Sequence, residues 1–502
     1  MKVPIKFYIE TISPIHIGCD EVYEPTCFVL DENKQQMIVF DPFLFISQME
    51  NADKAKFSQI CAKGTIASIL EIYQFMRNKT VEGQMVDVCN DFIEHYRQTL
   101  SLPLHNNREI QQNLNNFAIP RTAFCAIDQR PYIPGSSVKG ALRTAYLNLM
   151  ESEKKLSKRG KERNARNLEQ RLMEYSGIPS DPFRMVKVSD FMPMGETRTR
   201  IVYGVNEKKK QTDRDARGLP LIFEVVPPGS VFVGTITVDT PLHGSGINKN
   251  VSIEKLLNSS TMFYTKEKRR EDRELRNIGV VTNSDYARYQ GQKNTFLLRV
   301  GRHSGAESVT IEGHRNIKIM MGKGEKPKYL DHATTLWLSS ETRRPVDRDG
   351  LQPFGWVQIS RLTDDSLKEF QIEEQDRKVK QDRNRELQKE EAKRKDELKR
   401  KSDAEAKRLA LEKEERRKEE EQRKAELEAM SPEEREIAEI GDPSVLENRV
   451  VEIYNRIDEF SEENKKKLAI ALKKYWQTHG KWEKGSKKQR LKVQKVKDIL
   501  GE

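Results

Sequence analysis

The sequence predicts an α+β chain: two α+β units, the first carrying a helical insertion, followed by a long charged helix and a small helical C-terminal module. Three observations predict it. Short segments alternate apolar and polar residues between Gly/Pro turns, residues 41–116 place apolar side chains at helical spacing, and from Gln375 to Met430 nearly every residue is Glu, Lys, Arg, Gln or Ala.

Residues 2–12 and 22–31 read as strands joined by the loop Ser13–Asp20. The helical pattern follows, with Phe57, Ile60, Ile66, Ile69, Leu70, Ile72 and Tyr73, then Val86, Phe92, Ile93 and Leu100. Its polar surface fits a solvated face or a lateral contact. After an amphipathic helix over Pro134–Met150, the basic connector Ser152–Asn167 reads either as a loop lying on RNA or as a solvated hinge.

A second α+β unit is expected over about Asp181–Asp365. Met185–Asp190 and Leu221–Val238 read as strands, and Pro227-Pro-Gly229 is expected to turn a hairpin between two of them. The segment between holds Arg198 and Arg200 and a basic excursion over 206–217, which resembles a mobile hairpin reaching across a nucleic-acid strand. Glycine-bearing loops follow at Arg299–Gly305, Met321–Gly324 and Gly350–Trp356. The expected domains are therefore 1–180, 181–370, the charged helix 371–430 and the module 431–502.

In the charged segment, Glu390/Arg394, Glu391/Lys395, Glu397/Lys401, Glu412/Arg416 and Glu420/Lys424 lie four apart. Each such pair stabilises an isolated helix by about 0.2–0.5 kcal/mol. Leu387, Leu398, Leu409 and Leu411 are too sparse for a coiled-coil seam, so a solitary helix, on the order of 80 Å long, is expected. Apolar periodicity returns at Val450, Ile453, Ile457, Phe460, Leu468, Leu472, Tyr475, Val493, Val496 and Leu500 under a Lys-rich surface.

A formal charge of +11 and a pI near 9.1 point to a polyanionic partner, with nucleic acid leading. The opening residues lack the apolar core of a signal peptide and no stretch approaches the ~20 apolar residues of a membrane span, so a cytoplasmic protein without membrane contact is expected. The five cysteines, Cys19, Cys27, Cys61, Cys89 and Cys125, are odd in number and include no Cys-x-x-Cys. That argues against a disulfide framework and a zinc site. No cofactor and no metal are expected; Asp347 with Asp349, and Asp364 with Asp365, read as surface acids in charged loops.

The most informative stretch is Tyr132-Ile-Pro-Gly-Ser-Ser-Val-Lys-Gly-Ala-Leu-Arg143. A helix start exposes unpaired N–H groups and the positive end of the macrodipole, which favours an anion, above all phosphate. Gly135 and Gly140 permit close backbone approach, and Ser136, Ser137, Lys139 and Arg143 sit on or beside the first turn. The spacing imitates a nucleotide-binding P-loop, but Ala141-Leu142 stands where Lys-Ser/Thr must follow, so ATP is a poor reading. The same residue types also make an ordinary turn and helix cap.

Ile133–Arg143, Lys187-Val-Ser-Asp190 and Leu351-Gln-Pro-Phe-Gly-Trp356 together resemble the RAMP superfamily of CRISPR effector subunits, built on ferredoxin-like (RRM-like) domains. Thr11–Thr26, with its Tyr23-Glu-Pro25, Glu224–Phe232 and Leu298–Gly305 narrow the likeness to the subunit group capping the filament at the 3′ end of the CRISPR RNA in type III-A (Csm) systems. The likeness covers about residues 1–365 and leaves 370–502 unexplained. It implies tandem ferredoxin-like domains and an RNA-binding, non-enzymatic role in a ribonucleoprotein complex that supports CRISPR RNA maturation and antiviral defence. The implied partners are CRISPR RNA, target RNA, neighbouring Csm backbone subunits and a host trimming nuclease. The implied RNA contacts are His16, Gly135, Ser136, Ser137, Lys139, Gly140, Arg143, Arg198, Arg200, Arg302 and Gly355, through phosphate and 2′-OH rather than base edges.

The rival class is a metal-independent RAMP endoribonuclease, in which His16 acts as acid or base with His105, His303 or His314 as a second group. A third is a scaffold whose charged helix and terminal module recruit other proteins.

Overall fold

The structure, a computed structural model, describes residues 4–502 apart from 78, 157–163, 211–215, 217, 282–293, 322–323, 364–367 and many positions between 369 and 428. It forms two compact units, Met1–Arg377 and Lys378–Glu502.

Two main sheets build the first unit. In one, antiparallel strands run in the order Thr295–Arg299, Trp356–Arg361, Ile5–Thr11, Val231–Val238 and Val186–Val188, with Met192–Pro193 also beside Val231–Val238. The alternation expected for the first strand is present, since Phe7, Ile9 and Thr11 are buried and the positions between them half-buried. Helices Gly135–Lys154 and Ile253–Asn277 pack on each other, and their Leu142, Tyr146, Leu256 and Tyr264 share one core with Phe7, Ile9 and Trp356. The other sheet runs Gln352–Pro353, Thr335–Ser340, Arg200–Lys208, Gln84–Val88, Gln36–Val39 and Phe28–Asp31, with Leu221–Val225 also on Arg200–Lys208. One pairing in it is parallel, Gln84–Val88 with Arg200–Lys208.

The expected hairpin at Pro227-Pro-Gly229 is not one. Leu221–Val225 pairs in the second sheet and Val231–Val238 in the first, so the turn carries the chain from one sheet to the other. Gly229, at φ +82°, supplies the left-handed residue of that turn. The expected boundary near residue 180 marks no division of the sheets either, because each sheet takes strands from both sides of it.

Residues 41–116 hold helices Pro42–Gln48, Asn51–Ala62, Ile66–Met76, Asn90–Leu100 and Asn107–Asn116. The strand Gln84–Val88 lies among them; its alternation is too short to stand out, and its Val86 is a core residue of the second sheet.

In the second unit, helices Pro432–Ile440, Glu447–Asn455, Glu462–Thr478 and Lys487–Leu500 enclose Val450, Ile453, Leu468, Leu472, Trp476 and Val496. Every described position from 379 to 429 is helical. Glu397–Lys401 and Glu414–Lys418 close four-apart ion pairs of 2.9 and 3.0 Å, while Glu391/Lys395, Glu412/Arg416 and Glu420/Lys424 include residues outside the described set. Among the described residues no helix is long and apolar enough to cross a membrane.

Candidate nucleic-acid interface

The turn before helix Gly135–Lys154 is fixed by the segment Lys187–Phe191. Ile133 and Phe191 exchange backbone hydrogen bonds of 3.0 and 2.9 Å, and the Gly135 N–H donates to the Asp190 carboxylate at 2.8 Å. A Cβ on Gly135 would lie 2.4 Å from the Val188 carbonyl oxygen, so only glycine fits. Two of the motifs that carry the family resemblance are thus two sides of one contact. Asp190 thus takes one of the N–H groups at the positive end of the helix, where an anion is expected, and its carboxylate disfavours a phosphate at the Gly135 N–H.

The first two turns still face open space. Ser136 is exposed and a Cβ on Gly140 would meet nothing within 4 Å. Ser137, Gly140 and Thr144 line one wall of a cavity of about 360 Å³, and Gly18 with the loop Arg299–Ser304 lines another. Lys139 is half-buried on the same turn, has no ion-pair partner among the described residues, and burial lowers its pKa.

Three loops stack to shape the far wall. The Arg302 N–H donates to the His16 carbonyl at 2.8 Å, the Gly355 N–H to Pro14 at 2.9 Å, and the Val300 N–H to Gly355 at 2.8 Å. Cβ atoms on Gly301 and Gly355, both at positive φ, would lie 2.6 and 2.4 Å from the carbonyl oxygens of His16 and Val300. A buried ionic cluster anchors this assembly from below. Arg299 binds Glu271 at 2.7 Å, and the other Glu271 oxygen accepts from the Trp356 indole at 2.7 Å. Arg299 also donates to Phe354 and Ser308. Lys209, from the basic excursion, folds back onto Glu307 and Glu274 instead of reaching outward. Residues 206–208 of that excursion end the strand Arg200–Lys208, and 211–215 and 217 lie outside the described residues.

His16 is fully buried. Its Nδ1 lies 2.8 Å from the Glu224 carbonyl, which can only accept, so Nδ1 carries the proton. Burial lowers its pKa and its ring packs on Phe223, which also packs against His303 and Phe354. The Glu224 side chain, wholly buried, accepts from the Tyr23 hydroxyl at 2.8 Å, the Thr199 hydroxyl at 2.6 Å and the Thr122 N–H at 2.9 Å. Complete burial pushes its pKa up. His16, Tyr23 and Glu224, distant in sequence, therefore form one buried network that ties the opening loop to the second sheet.

The structure brings Ser137, Gly140 and Arg302 to the cavity; Ser136 and Lys139 stand on the same helix and do not line it. Arg302 is exposed and contacts Asp20 at 3.2 Å. The remaining expected contacts lie elsewhere. Arg143 spends its donors on Glu169, Asp181 and Tyr175 and lies over the Phe183 ring. Arg200 makes a bidentate pair with Glu341 at 2.9 and 2.6 Å, and Arg198 pairs with Glu196 at 3.0 Å; neither lines the cavity. Gly355 is buried in the loop stack. His314 binds Glu151 at 3.1 Å, His105 is exposed, and Asp347 accepts the Asp349 N–H within a turn. Asp364 and Asp365 lie outside the described residues. Gly18 and Thr144 were not singled out from sequence. A Cβ on Gly18 would lie 2.7 Å from the Arg302 guanidinium carbon, a proximity that loop spacing does not reveal.

An open, mixed apolar and polar cleft with an exposed arginine on one wall and exposed Gly140 on the other can accept a sugar–phosphate backbone, and the family comparison agrees with the motifs. The model of the RAMP superfamily matches residues 8–281, more than half of the chain, and the chain belongs to that superfamily. Over 218 residues it is 26% identical to a Methanocaldococcus jannaschii protein described as CRISPR system Cms protein Csm5, covering 41% of this chain and 47% of that one. The chain thus spans about half the length of that relative. Among solved structures, one chain of a Csm–crRNA–target RNA ternary complex matches at a TM-score of 0.46 and 18% identity, over 71% of this chain and all of that one. The crystal structure of T. onnurineus Csm5 matches at 0.40 and 17%, over 70% of this chain and 99% of that one.

Proposed function

We propose that this protein is an RNA-binding, non-enzymatic subunit of a type III-A CRISPR (Csm) ribonucleoprotein complex, where it caps the backbone filament at the 3′ end of the CRISPR RNA. Its partners in this reading are CRISPR RNA, target RNA and neighbouring Csm subunits, in the cytoplasm, with a host nuclease recruited for trimming. The observation that carries the reading is the cavity joining Ser137, Gly140 and Thr144 to Gly18 and Arg302; Lys139 stands on the same helix and has no ion-pair partner among the described residues. Superfamily membership and the partial match to a Csm5 protein support it. We read the two sheets as two ferredoxin-like RAMP domains whose strands interleave along the chain, in place of successive domains at 1–180 and 181–370, with residues 41–116 as an insertion. The charged helix 371–430 and the module 431–502 follow them in the sequence.

The burial of His16 weighs against the ribonuclease alternative, which rests on an accessible imidazole. The test is titration of labelled CRISPR RNA against wild type and a Lys139→Ala/Arg302→Ala variant over a range of salt. The variant is expected to bind all sequences several-fold more weakly, with a salt slope shallower by about 0.7 per lost phosphate contact. Unchanged affinity and slope would contradict the reading. Incubation of the wild type with the same RNA in EDTA is expected to leave it intact; cutting that His16→Ala abolishes would revive the ribonuclease.

A further inference from the structure

A second groove, of about 1290 Å³ and open to solvent, runs along the outer face of helix Ile253–Asn277. Its helical wall carries Asn258, Met262, Thr265, Arg269, Arg273 and Arg276, at successive steps of three or four residues, so they form one stripe. The opposite wall is Asn294, Thr295 and the half-buried Phe296.

The arginines of this stripe differ from the helix's other cations. Lys268 is held by Asp272, Arg270 by Glu267 and Glu274, and Lys266 by Glu312. Arg269, Arg273 and Arg276 are exposed, and none has an ion-pair partner among the described residues. The acid lining the groove, Asp272, is the one bound to Lys268, so it does not neutralise them. Three unmatched guanidinium groups thus stand along about 10 Å of helix. Helix stability gains nothing from this arrangement, since like charges four apart repel.

We propose that this groove holds single-stranded RNA outside the cavity described above, with phosphates on Arg269, Arg273 and Arg276 and a base against Phe296. The arginine row supplies the electrostatic track, the Phe296 ring a stacking surface, and Asn258, Thr265 and Asn294 hydrogen-bonding groups for sugar and base edges. That combination recurs where single strands are bound without sequence preference. An acidic peptide would use the arginines and leave the ring and amides unengaged. The inference rests on the RNA-binding role proposed above.

The test is fluorescence anisotropy with a labelled oligouridylate on the full chain, over a range of salt. Three variants are compared: Arg269→Ala/Arg273→Ala/Arg276→Ala, the cavity variant Lys139→Ala/Arg302→Ala, and Lys34→Ala/Lys56→Ala/Arg108→Ala, which removes the same charge elsewhere. The stripe variant is expected to bind roughly tenfold more weakly with a slope shallower by about 2, at about 0.7 per phosphate contact. The distant variant is expected to stay near wild type, and a triple Arg→Lys stripe variant to keep most of the affinity, which separates lost charge from misfolding. Weakening by the cavity variant alone overturns the second groove and leaves the cavity standing. Weakening by neither overturns both. Equal weakening by the distant variant, or loss of polyglutamate binding with RNA binding intact, also overturns the proposal.

Discussion

A few buried polar residues set the shape of the site. Gly135 is confined by the Val188 carbonyl and tethered to Asp190. Gly135→Ala is therefore expected to cost about 1–3 kcal/mol by overpacking, and Asp190→Ala about 1 kcal/mol by uncapping the helix; chemical denaturation of residues 1–377 measures both, and a neutral Gly135→Ala contradicts the contact. Glu224 gathers three donors in a dry site, and its removal strands them. Glu224→Ala is expected to destabilise by on the order of 3 kcal/mol and to loosen the opening loop, read as faster amide exchange around His16. Burial lowers the pKa of His95 and of His303 to about 4. In the unfolded chain these groups take up protons near pH 6.5, so between pH 6.5 and 4 the unfolded state binds more protons and stability falls as pH drops. A His303→Asn variant, which tolerates the positive φ at this position, is expected to show a shallower decline in melting temperature over that range. An unchanged pH profile would rule out His303 as a contributor.

At the scale of elements, the sequence disclosed what depends on neighbours along the chain and hid what depends on distant ones. The strand Ile5–Thr11, the helix from Gly135, the helices of residues 41–116 and the C-terminal module follow from local periodicity and capping. Pro227-Pro-Gly229 looks like a hairpin in the sequence because a tight turn looks the same whether its flanking strands pair with each other or with strands in two different sheets. Arg143 and Arg200 look like free phosphate ligands in the sequence because an arginine there carries no sign of its acidic partner; Glu169 and Asp181 lie 26 and 38 residues from Arg143, and Glu341 lies 141 from Arg200. The bond from the Gly135 N–H to Asp190 is likewise hidden in the sequence, because the two residues lie 55 apart. The motifs themselves were legible, and the contacts among them explain why they occur together. Arg143→Ala is accordingly expected to lower stability, by about 1–3 kcal/mol from its stranded acids, and to leave the salt slope of RNA binding unchanged. A shallower slope in that variant would return Arg143 to the interface.

For the whole molecule, the division at residues 377 and 378 separates a two-sheet body from a helical tail, and each has its own core. A truncation ending at residue 377 is expected to melt cooperatively and to keep its RNA affinity within about twofold, since the sheets have cores of their own and the tail has its own core and local ion pairs. The central claim is that RNA lies across the cavity shaped by helix Gly135–Lys154 and the loop Arg299–Ser304. Photocrosslinking of the full chain to guide RNA carrying 4-thiouridine along its length, with the attached peptides identified by mass spectrometry, tests it most directly. Crosslinks concentrated on residues 135–144 and 299–305 and lost with Lys139→Ala/Arg302→Ala are the predicted result; crosslinks confined to residues 431–502, with those two segments unmodified, would contradict it.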